Sequence, residues 1–156
     1  MKKVQIFADG SCKHKAKKGE EAYGHGGWCA IVRIEGNPDT SPISGGEKKT
    51  KSPRMELRAA IEGIKSLKEP SDITLVTDSE YVAKGINVWL DNWLGNKILH
   101  KKENTAMWEE YLQAAKGHHI VAKWVKGHSG HPENELCDKI AKAEADKQKQ
   151  ADSRKQ

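Results

Sequence analysis

The sequence contains few cysteines and no long apolar run. Its three cysteines, Cys12, Cys29 and Cys137, form no Cys-x-x-Cys pair and leave an odd number. This argues against a disulfide framework and against a structural zinc site, and it favours reduced thiols in a cytoplasmic protein. No segment is apolar enough to span a bilayer, and the first residues do not resemble a signal peptide. We therefore expect neither a membrane protein nor a secreted one.

Positive charge is in modest excess. Lys and Arg total 27 against 22 Asp and Glu in 156 residues, which gives a formal net charge of +5. This balance favours a polyanionic partner, although many basic proteins bind nothing in particular. The length fits one domain, which we place at residues 1–147. The remaining residues, 148–156, are almost entirely polar and are expected to form a disordered C-terminal tail.

The apolar pattern predicts one mixed α/β domain. Short β-branched or aromatic runs predict strands at 4–7, 28–34, 73–76 and 120–125, with a weaker strand at 43–47. Ser52 is the predicted N-cap of a helix with Pro53 at its first position. Further helices are predicted over 79–94 with interruptions at Gly85 and Gly95, after Thr105 as a cap, and from Pro132 onwards.

Four acidic residues stand at the ends of separate segments. Asp9 and Asp78 each follow an apolar run and are expected where a buried strand ends, while Glu56 and Asp138 lie near predicted helix starts. Strand ends and helix starts meet at one edge of an α/β sheet. Carboxylates gathered there would repel one another unless cations neutralised them, and oxygen-only ligation suits Mg²⁺ or Mn²⁺. The sequence therefore predicts a divalent-metal site for chemistry on phosphates.

Four motifs follow one another in a specific order. They are Ala-Asp-Gly-Ser-Cys at 8–12, Arg-Met-Glu-Leu-Arg-Ala-Ala at 54–60, Thr-Asp-Ser-Glu-Tyr-Val at 77–82, and Trp-Val-Lys-Gly-His-Ser-Gly-His-Pro-Glu-Asn-Glu-Leu-Cys-Asp at 124–138. Each is weak alone, but together they make the chain resemble type 1 ribonuclease H. The resemblance implies a ribonuclease H-like fold, with a five-stranded mixed sheet of three antiparallel strands and then two parallel ones, flanked by helices. It also implies an endonuclease that cuts the RNA strand of RNA–DNA hybrids and leaves 3′-hydroxyl and 5′-phosphate ends.

The resemblance assigns the acidic residues to metal binding. Hydrolysis of a phosphodiester by two metal ions uses one ion to generate the nucleophile and the other to stabilise the leaving oxygen. By resemblance, Asp9 would contact both Mg²⁺ ions, and Mn²⁺ is expected to substitute for Mg²⁺. Glu56 and Asp78 would complete the coordination, and Asp138 would hold the more open position near the attacking water.

One histidine is expected in the active site, and three others are expected to have structural roles. His128 lies in a glycine-containing segment, and an imidazole side chain there suits proton transfer near neutral pH. The resemblance assigns the histidine of this loop to proton transfer and product release. His131 is expected to cap the helix that begins at Pro132. The pair His118-His119 has no metal-ligand spacing and is predicted to mark a helix end.

A further set of residues is expected to bind the substrate. The resemblance implies that 2′-hydroxyls are recognised across a shallow minor groove and that a basic helix and loop approach the DNA strand. The predicted substrate-binding residues are Gly10, Ser11, Cys12, Lys51, Met55, Ser79, Trp89, Lys97, Lys101 and Lys102, with His100 in the same basic stretch. Trp93 and Trp108 are expected to pack in the core.

Two segments depart from the family pattern. A lysine-rich loop at 13–18 replaces a shorter glycine-rich turn, and Lys51-Ser52-Pro53 replaces a run that carries two amide side chains. Lys51 would serve as a phosphate ligand, but as a point charge without the same geometry. We therefore expect weaker substrate affinity or discrimination rather than loss of cleavage.

Two alternatives stay open at this point. One is the ribonuclease H domain of a reverse transcriptase, which would share the fold and the carboxylates. The short flanks of the domain favour a free-standing enzyme instead, and we expect it to be a monomer. The other is a non-catalytic module that binds hybrids, in which at least one carboxylate would be replaced. None of Asp9, Glu56, Asp78 and Asp138 is replaced.

Overall fold

The computed structural model describes residues 1–13, 23–37, 41–127 and 131–154. Its five strands are β1 (Lys2–Lys13), β2 (Gly24–Ile34), β3 (Ile43–Thr50), β4 (Ser71–Thr77) and β5 (His119–Trp124). They form one sheet in the order β3-β2-β1-β4-β5. The pairs β1–β2 and β2–β3 are antiparallel, whereas β1–β4 and β4–β5 are parallel. The predicted sheet is confirmed.

Helices cover both faces of this sheet. They are α1 (Ser52–Lys65), α2 (Glu80–Lys84), α3 (Leu90–Gly95), α4 (Thr105–Ala115) and α5 (Pro132–Arg154). A π-helical turn at Gly85–Trp89 joins α2 to α3, so the predicted interruption falls at Gly85. Across the described ranges, the helices are too short or too polar to cross a membrane.

The core lies on both sides of β1 because successive side chains of a strand point to opposite faces. Ile6 packs in the larger cluster with Leu57 and the fully buried Trp108. Its neighbour Phe7 packs in the second cluster with Cys137 of α5. A strand covered on both faces has no solvent-facing positions in its middle. This explains why Ile6, Phe7 and Ala8 form a continuous apolar run, whereas Gln5, nearer the start of the strand, is exposed.

Gly27 allows α5 to lie directly against β2. A Cβ atom at this position would lie 2.0 Å from the carbonyl oxygen of Ala141 and 2.5 Å from the backbone nitrogen of Ala145. Both of these alanines are fully buried. The helix backbone therefore approaches the sheet more closely than a larger residue at position 27 would permit.

The predicted helix caps were wrong at two positions. Ser52 is the first residue of α1, and Lys51 precedes the helix in an extended conformation without a capping side-chain hydrogen bond. Thr105 is likewise the first residue of α4, after Asn104 with a left-handed φ of 60°. The Thr105 hydroxyl instead donates to the carbonyl of Leu99 at 3.1 Å. The Thr105 hydroxyl thus bonds to carbonyls of the preceding turn instead of capping α4.

The prediction of a helix end at His118-His119 was also wrong, since α4 ends at Ala115 and His119 begins β5. His118 Nδ1 accepts a hydrogen bond of 3.1 Å from the backbone N–H of Ser71. His119 Nδ1 lies 3.0 Å from a carboxylate oxygen of Asp72. Both histidines thus join the start of β5 to the start of β4.

At its C-terminal end the structure differs from the predicted disordered tail. Helix α5 continues past residue 147 and runs to Arg154. Two acidic side chains fix these last turns to the sheet, since Asp146 contacts Lys13 and Asp152 contacts His25. The polar composition of 148–156 suggested disorder. The contact that holds this segment, from Asp152 to His25, joins residues more than 100 positions apart, so local composition carries no signal for it.

Candidate active site

Asp9 and Asp78 are neighbours because of the register between β1 and β4. The parallel pairing ends with Ala8 opposite Thr77, so the next residue of each strand lies at the carboxyl end of the pair. β1 itself continues to Lys13 and pairs there with β2 alone. Asp9 therefore lies within its strand, not at the predicted strand end. The strand that ends at this point is β4, at Thr77, and the space beyond its end holds the carboxylates.

Glu56 reaches the same place through a close contact between β1 and α1. A Cβ atom at Gly10 would lie 2.5 Å from the backbone nitrogen of Glu56, so only glycine allows the helix this close. As a result, Asp9, Glu56 and Asp78 each offer a carboxylate oxygen within 4.8 Å of the other two. Asp9 and Glu56 are buried, and Asp78 is half-buried.

Burial and mutual repulsion dominate the electrostatics of this carboxylate cluster. Burial, followed by the charge of Asp78, raises the pKa of Asp9 to about 7. Burial and the charge of Asp9 raise the pKa of Glu56 well above its usual range. A hydrogen bond between the two carboxyl groups favours a proton on Glu56 and charge on Asp9. In the described residues, Oε2 of Glu56 is buried and accepts no hydrogen bond.

Asp138 lies beside the cluster but not within it. It lines a small cavity together with Asp9 and Asp78, and its charge contributes to the raised pKa of Asp9. One of its carboxylate oxygens lies 2.9 Å from Nζ of Lys142, one turn further along α5. This contact raises the pKa of Lys142. Three of the four predicted carboxylates thus form a compact group, and the fourth stands at the rim of the same cavity.

His128 lies outside the described residues. The residues on either side of this gap, Gly127 and His131, line the cavity that holds Asp9, Asp78 and Asp138. A Cβ atom at Gly127 would lie 3.2 Å from Oδ2 of Asp78. The chain therefore enters and leaves the predicted histidine loop beside the carboxylates.

Trp124 and Ser79 hold the backbone around Asp78. The indole N–H of Trp124 donates a hydrogen bond of 3.0 Å to the carbonyl of Asp78, although the ring is 47% exposed. Ser79, a predicted substrate-binding residue, accepts from the N–H of Val82 at 3.2 Å and caps α2. In the sequence, Trp124 stood out only as the first residue of the last motif. That position did not indicate that its indole would bond to the backbone of Asp78.

The predicted substrate-binding residues of β1 and α1 differ in accessibility. Gly10, Ser11 and Cys12 are partly exposed on β1 beyond Asp9. Met55 is fully buried, so its side chain belongs to the core and a contact with substrate there is limited to its backbone. Lys51 places Nζ 4.8 Å from the ring centroid of Tyr23, a residue to which sequence reasoning assigned no role.

The predicted basic segment is built on stacked aromatic rings. Trp89 and Trp93 stack at 5.9 Å between centroids, and both are partly exposed. Trp93 meets the buried Trp108 edge-on at 5.8 Å. Lys102 places Nζ 5.6 Å from the Trp93 ring. The remaining cations of the segment, Lys97, His100 and Lys101, are exposed.

Comparison with known proteins gives concordant results. The RNase H family model matches residues 1–146. The chain is 49% identical to a ribonuclease H of Campylobacter concisus, with 93% of this chain and 94% of that protein covered. It is also 49% identical to ribonuclease HI of Helicobacter pylori, with coverage of 94% and 96%. The crystal structure of LC9-RNase H1, a type 1 RNase H with the type 2 active-site motif, is similar at a TM-score of 0.77 and 30% identity, covering 94% of this chain and 74% of that one.

Proposed function

The chain belongs to the ribonuclease H family, and on that basis we propose that it hydrolyses the RNA strand of RNA–DNA hybrids endonucleolytically, with 3′-hydroxyl and 5′-phosphate products. The observation that carries the proposal is the cluster of Asp9, Glu56 and Asp78 at the carboxyl end of a parallel strand pair. Carboxylates brought this close, two of them buried, suit a reaction that needs divalent cations rather than a side-chain nucleophile.

The cluster fits a divalent cation on its own chemistry. Burial and the charge of neighbouring carboxylates raise the pKa values of Asp9 and Glu56, so a positive charge placed between these groups would be stabilising. The unpartnered Oε2 of Glu56 is a ligand atom without a protein donor in the described chain. A cation would supply both missing interactions, and an all-oxygen donor set favours Mg²⁺ or Mn²⁺ over softer metals. We propose two Mg²⁺ ions, with Asp9 contacting both.

When bound, such ions supply an activated water and charge stabilisation for the leaving oxygen of the phosphodiester. The residues of the chain position and balance this chemistry. Asp9, Glu56 and Asp78 would hold the ions, and Asp138 would orient the open side of the site while Lys142 fixes its carboxylate. His128 would carry the proton between the reacting phosphate and solvent.

Substrate recognition would involve the partly exposed end of β1 and the basic segment. Gly10, Ser11 and Cys12 continue along β1 from Asp9 and would face the 2′-hydroxyls of the RNA strand. The basic segment that includes Trp89 and Lys102 would approach the DNA strand by its charge. The departures at 13–18 and 51–53 would weaken affinity or discrimination. They would not abolish cleavage, since none of the four carboxylates is changed.

The two alternatives have less support. The curated relatives at 49% identity carry the names ribonuclease H and ribonuclease HI rather than reverse transcriptase. A non-catalytic module would not need three carboxylates within 4.8 Å of one another at a cost in electrostatic repulsion. A cytoplasmic location and a monomeric state stay predictions.

Cleavage of an end-labelled RNA–DNA hybrid tests the proposal, with duplex RNA, duplex DNA and single-stranded RNA alongside. We expect cutting of the RNA strand in the hybrid alone, dependent on Mg²⁺ or Mn²⁺ and abolished by chelator and by Asp9→Asn. Asp72→Asn is the matched control, because it makes the same chemical change near the opposite end of the sheet. Hybrid binding without cleavage under either metal would contradict the proposal.

A further inference from the structure

Between the carboxylates and the basic segment, the chain passes through the π-helical turn at Gly85–Trp89. The N–H of Leu90 donates to the carbonyl of Gly85, five residues back, so the turn holds one residue more than an α-helical turn. Gly85 is buried against Trp108, and a Cβ atom there would lie 2.3 Å from the indole ring. Turns of this kind are frequent at functional sites, and the proposed chemistry assigns no role to this one.

Asn87 bonds from this turn to the edge of the sheet. The strand at that edge is β5, which lies next to β4. The side-chain amide of Asn87 donates to the carbonyl of Ala122 at 2.8 Å, and its Oδ1 accepts from the N–H of Ala122 at 3.0 Å. Both backbone groups of Ala122 therefore point away from β4, and Asn87 bonds to them as a neighbouring strand would. Two bonds to one residue fix the direction of the side chain as well as its position.

The same stretch of chain is joined to β5 at a second point. Two residues beyond Ala122, the indole N–H of Trp124 donates to the carbonyl of Asp78. Helix α2 and the π-helical turn thus lie between two attachments to one strand, one at Asp78 and one at Asn87. A β-strand rises about 3.3 Å per residue, so the two residues of β5 that make these attachments lie roughly 7 Å apart. The turn is therefore held at a set distance from a carboxylate of the cluster.

Trp89 follows Asn87 by two residues and takes its direction from the turn. Its ring is partly exposed and packs 6.1 Å from Tyr81 and 5.9 Å from Trp93, measured between ring centroids. An α-helix advances about 100° per residue. The additional residue in the turn and the bonds from Asn87 to β5 therefore decide which way the Trp89 ring faces.

We propose that Asn87 is a positioning residue for substrate binding. Its two hydrogen bonds to β5 hold the π-helical turn so that Trp89 stands at a fixed distance from the carboxylates. The inference rests on the proposed function, because it takes Trp89 as a contact of the RNA–DNA hybrid. A hybrid that meets Trp89 and the carboxylates at once spans a fixed length. A turn that is free to move would therefore weaken hybrid binding without changing the reaction at the carboxylates.

A double-mutant cycle between Asn87→Ala and Trp89→Ala tests whether the first residue acts through the second. It compares the KM for hybrid cleavage in the four combinations, and the Kd for hybrid binding in the same four combinations with Asp9→Asn. Asn87 is exposed, so its substitution should leave the protein folded, which circular dichroism and melting temperatures check. Gln113→Ala is the matched control, because it removes an exposed amide side chain from α4.

We expect Asn87→Ala to raise KM and Kd about three- to tenfold, within the range of coupling between residues in contact. The single-turnover rate at saturating enzyme should not change, because the carboxylates are untouched. Trp89→Ala should itself weaken binding, and in that background Asn87→Ala should change either constant by less than about twofold. Gln113→Ala should keep the wild-type constants.

An equal rise in KM with and without Trp89→Ala would overturn the inference, since Asn87 would then act independently of Trp89. A Trp89→Ala protein with wild-type KM and Kd would also overturn it, because there would be no substrate contact to position. So would a lower single-turnover rate in Asn87→Ala at saturating enzyme.

A wild-type protein that binds hybrids but does not cleave them would instead contradict the proposed function. In that case, the Kd values of the four combinations would still decide the role of Asn87. The two proposals therefore fail on different measurements.

Discussion

The indole N–H of Trp124 donates to the backbone carbonyl of Asp78 at 3.0 Å, which joins the end of β5 to the residue that follows β4. The ring is 47% exposed, so it contributes little to the core. Trp124→Phe removes the donor and keeps an aromatic ring. Because groups that orient metal ligands typically change metal affinity or activity by about 10- to 100-fold, we expect at least a tenfold loss of cleavage at limiting Mg²⁺.

The melting temperature of Trp124→Phe distinguishes positioning from folding. It should change by only a few degrees, because the ring is half-exposed and the lost hydrogen bond is worth about 1 kcal/mol. Raising the Mg²⁺ concentration should restore part of the activity. Activity within twofold of wild type at limiting Mg²⁺ would show that Asp78 keeps its place without this hydrogen bond.

The raised pKa values of Asp9 and Glu56 predict how stability depends on pH without metal. The pKa of Asp9 rises from 3.8 to about 7 on folding, and that of Glu56 rises as well. Between these pH values the folded protein holds protons that the unfolded chain has released. In chelator, the free energy of unfolding should therefore fall as pH rises from about 4 to about 7, by an amount on the order of 3 kcal/mol.

Asp9→Asn should remove much of this pH dependence and make the metal-free protein more stable than wild type at pH 8. Denaturant unfolding at several pH values measures the difference. Asp91→Asn, at an exposed position on α3, is the control and should keep the wild-type profile. A wild-type stability that rises with pH over this range would mean that the carboxyl pair is not protonated in the folded state.

Metal binding should offset the loss of stability that burial and mutual repulsion of the clustered carboxylates cause. A ligand that binds the folded state alone stabilises it by about 2.7 kcal/mol at 100 times its Kd. Because a cation displaces the proton held by Asp9 and Glu56, the stabilisation should be larger at pH 8 than at pH 5. Thermal unfolding with Mg²⁺ and with chelator tests this. Equal stabilisation of wild type and Asp9→Asn would place the ion elsewhere.

The sequence predicted the sheet and the carboxylates because both depend on patterns within short segments. Apolar runs in the sequence located β1 and β4. Asp9 and Asp78 are the residues that directly follow the last paired residues of these two strands. What the sequence could not give were the partners between distant segments. The hydrogen bond from Trp124 to Asp78, and the contact between Asp152 and His25, join residues 46 and 127 positions apart. Local spacing carries no signal for either.

The close approach of α5 to β2 at Gly27 gives a final prediction about the scaffold. Gly27→Ala would place a methyl group 2.0 Å from the carbonyl oxygen of Ala141, a backbone atom that cannot rotate away. The helix would have to move outward, and overpacking of this kind costs about 1–3 kcal/mol. Since Asp138 lies on the same helix, we expect lower stability and reduced cleavage together.

Gly95→Ala is the matched control. A Cβ atom there would meet no atom of the described residues within 4 Å, and Gly95 belongs to α3. Alanine restricts the unfolded chain at such a position, so stability should be unchanged or higher by about 0.4–1 kcal/mol. Urea unfolding of the two variants beside wild type measures the contrast. If Gly27→Ala were as stable as Gly95→Ala, α5 would not need its close contact with β2, and the position of Asp138 would not depend on a glycine in the opposing strand.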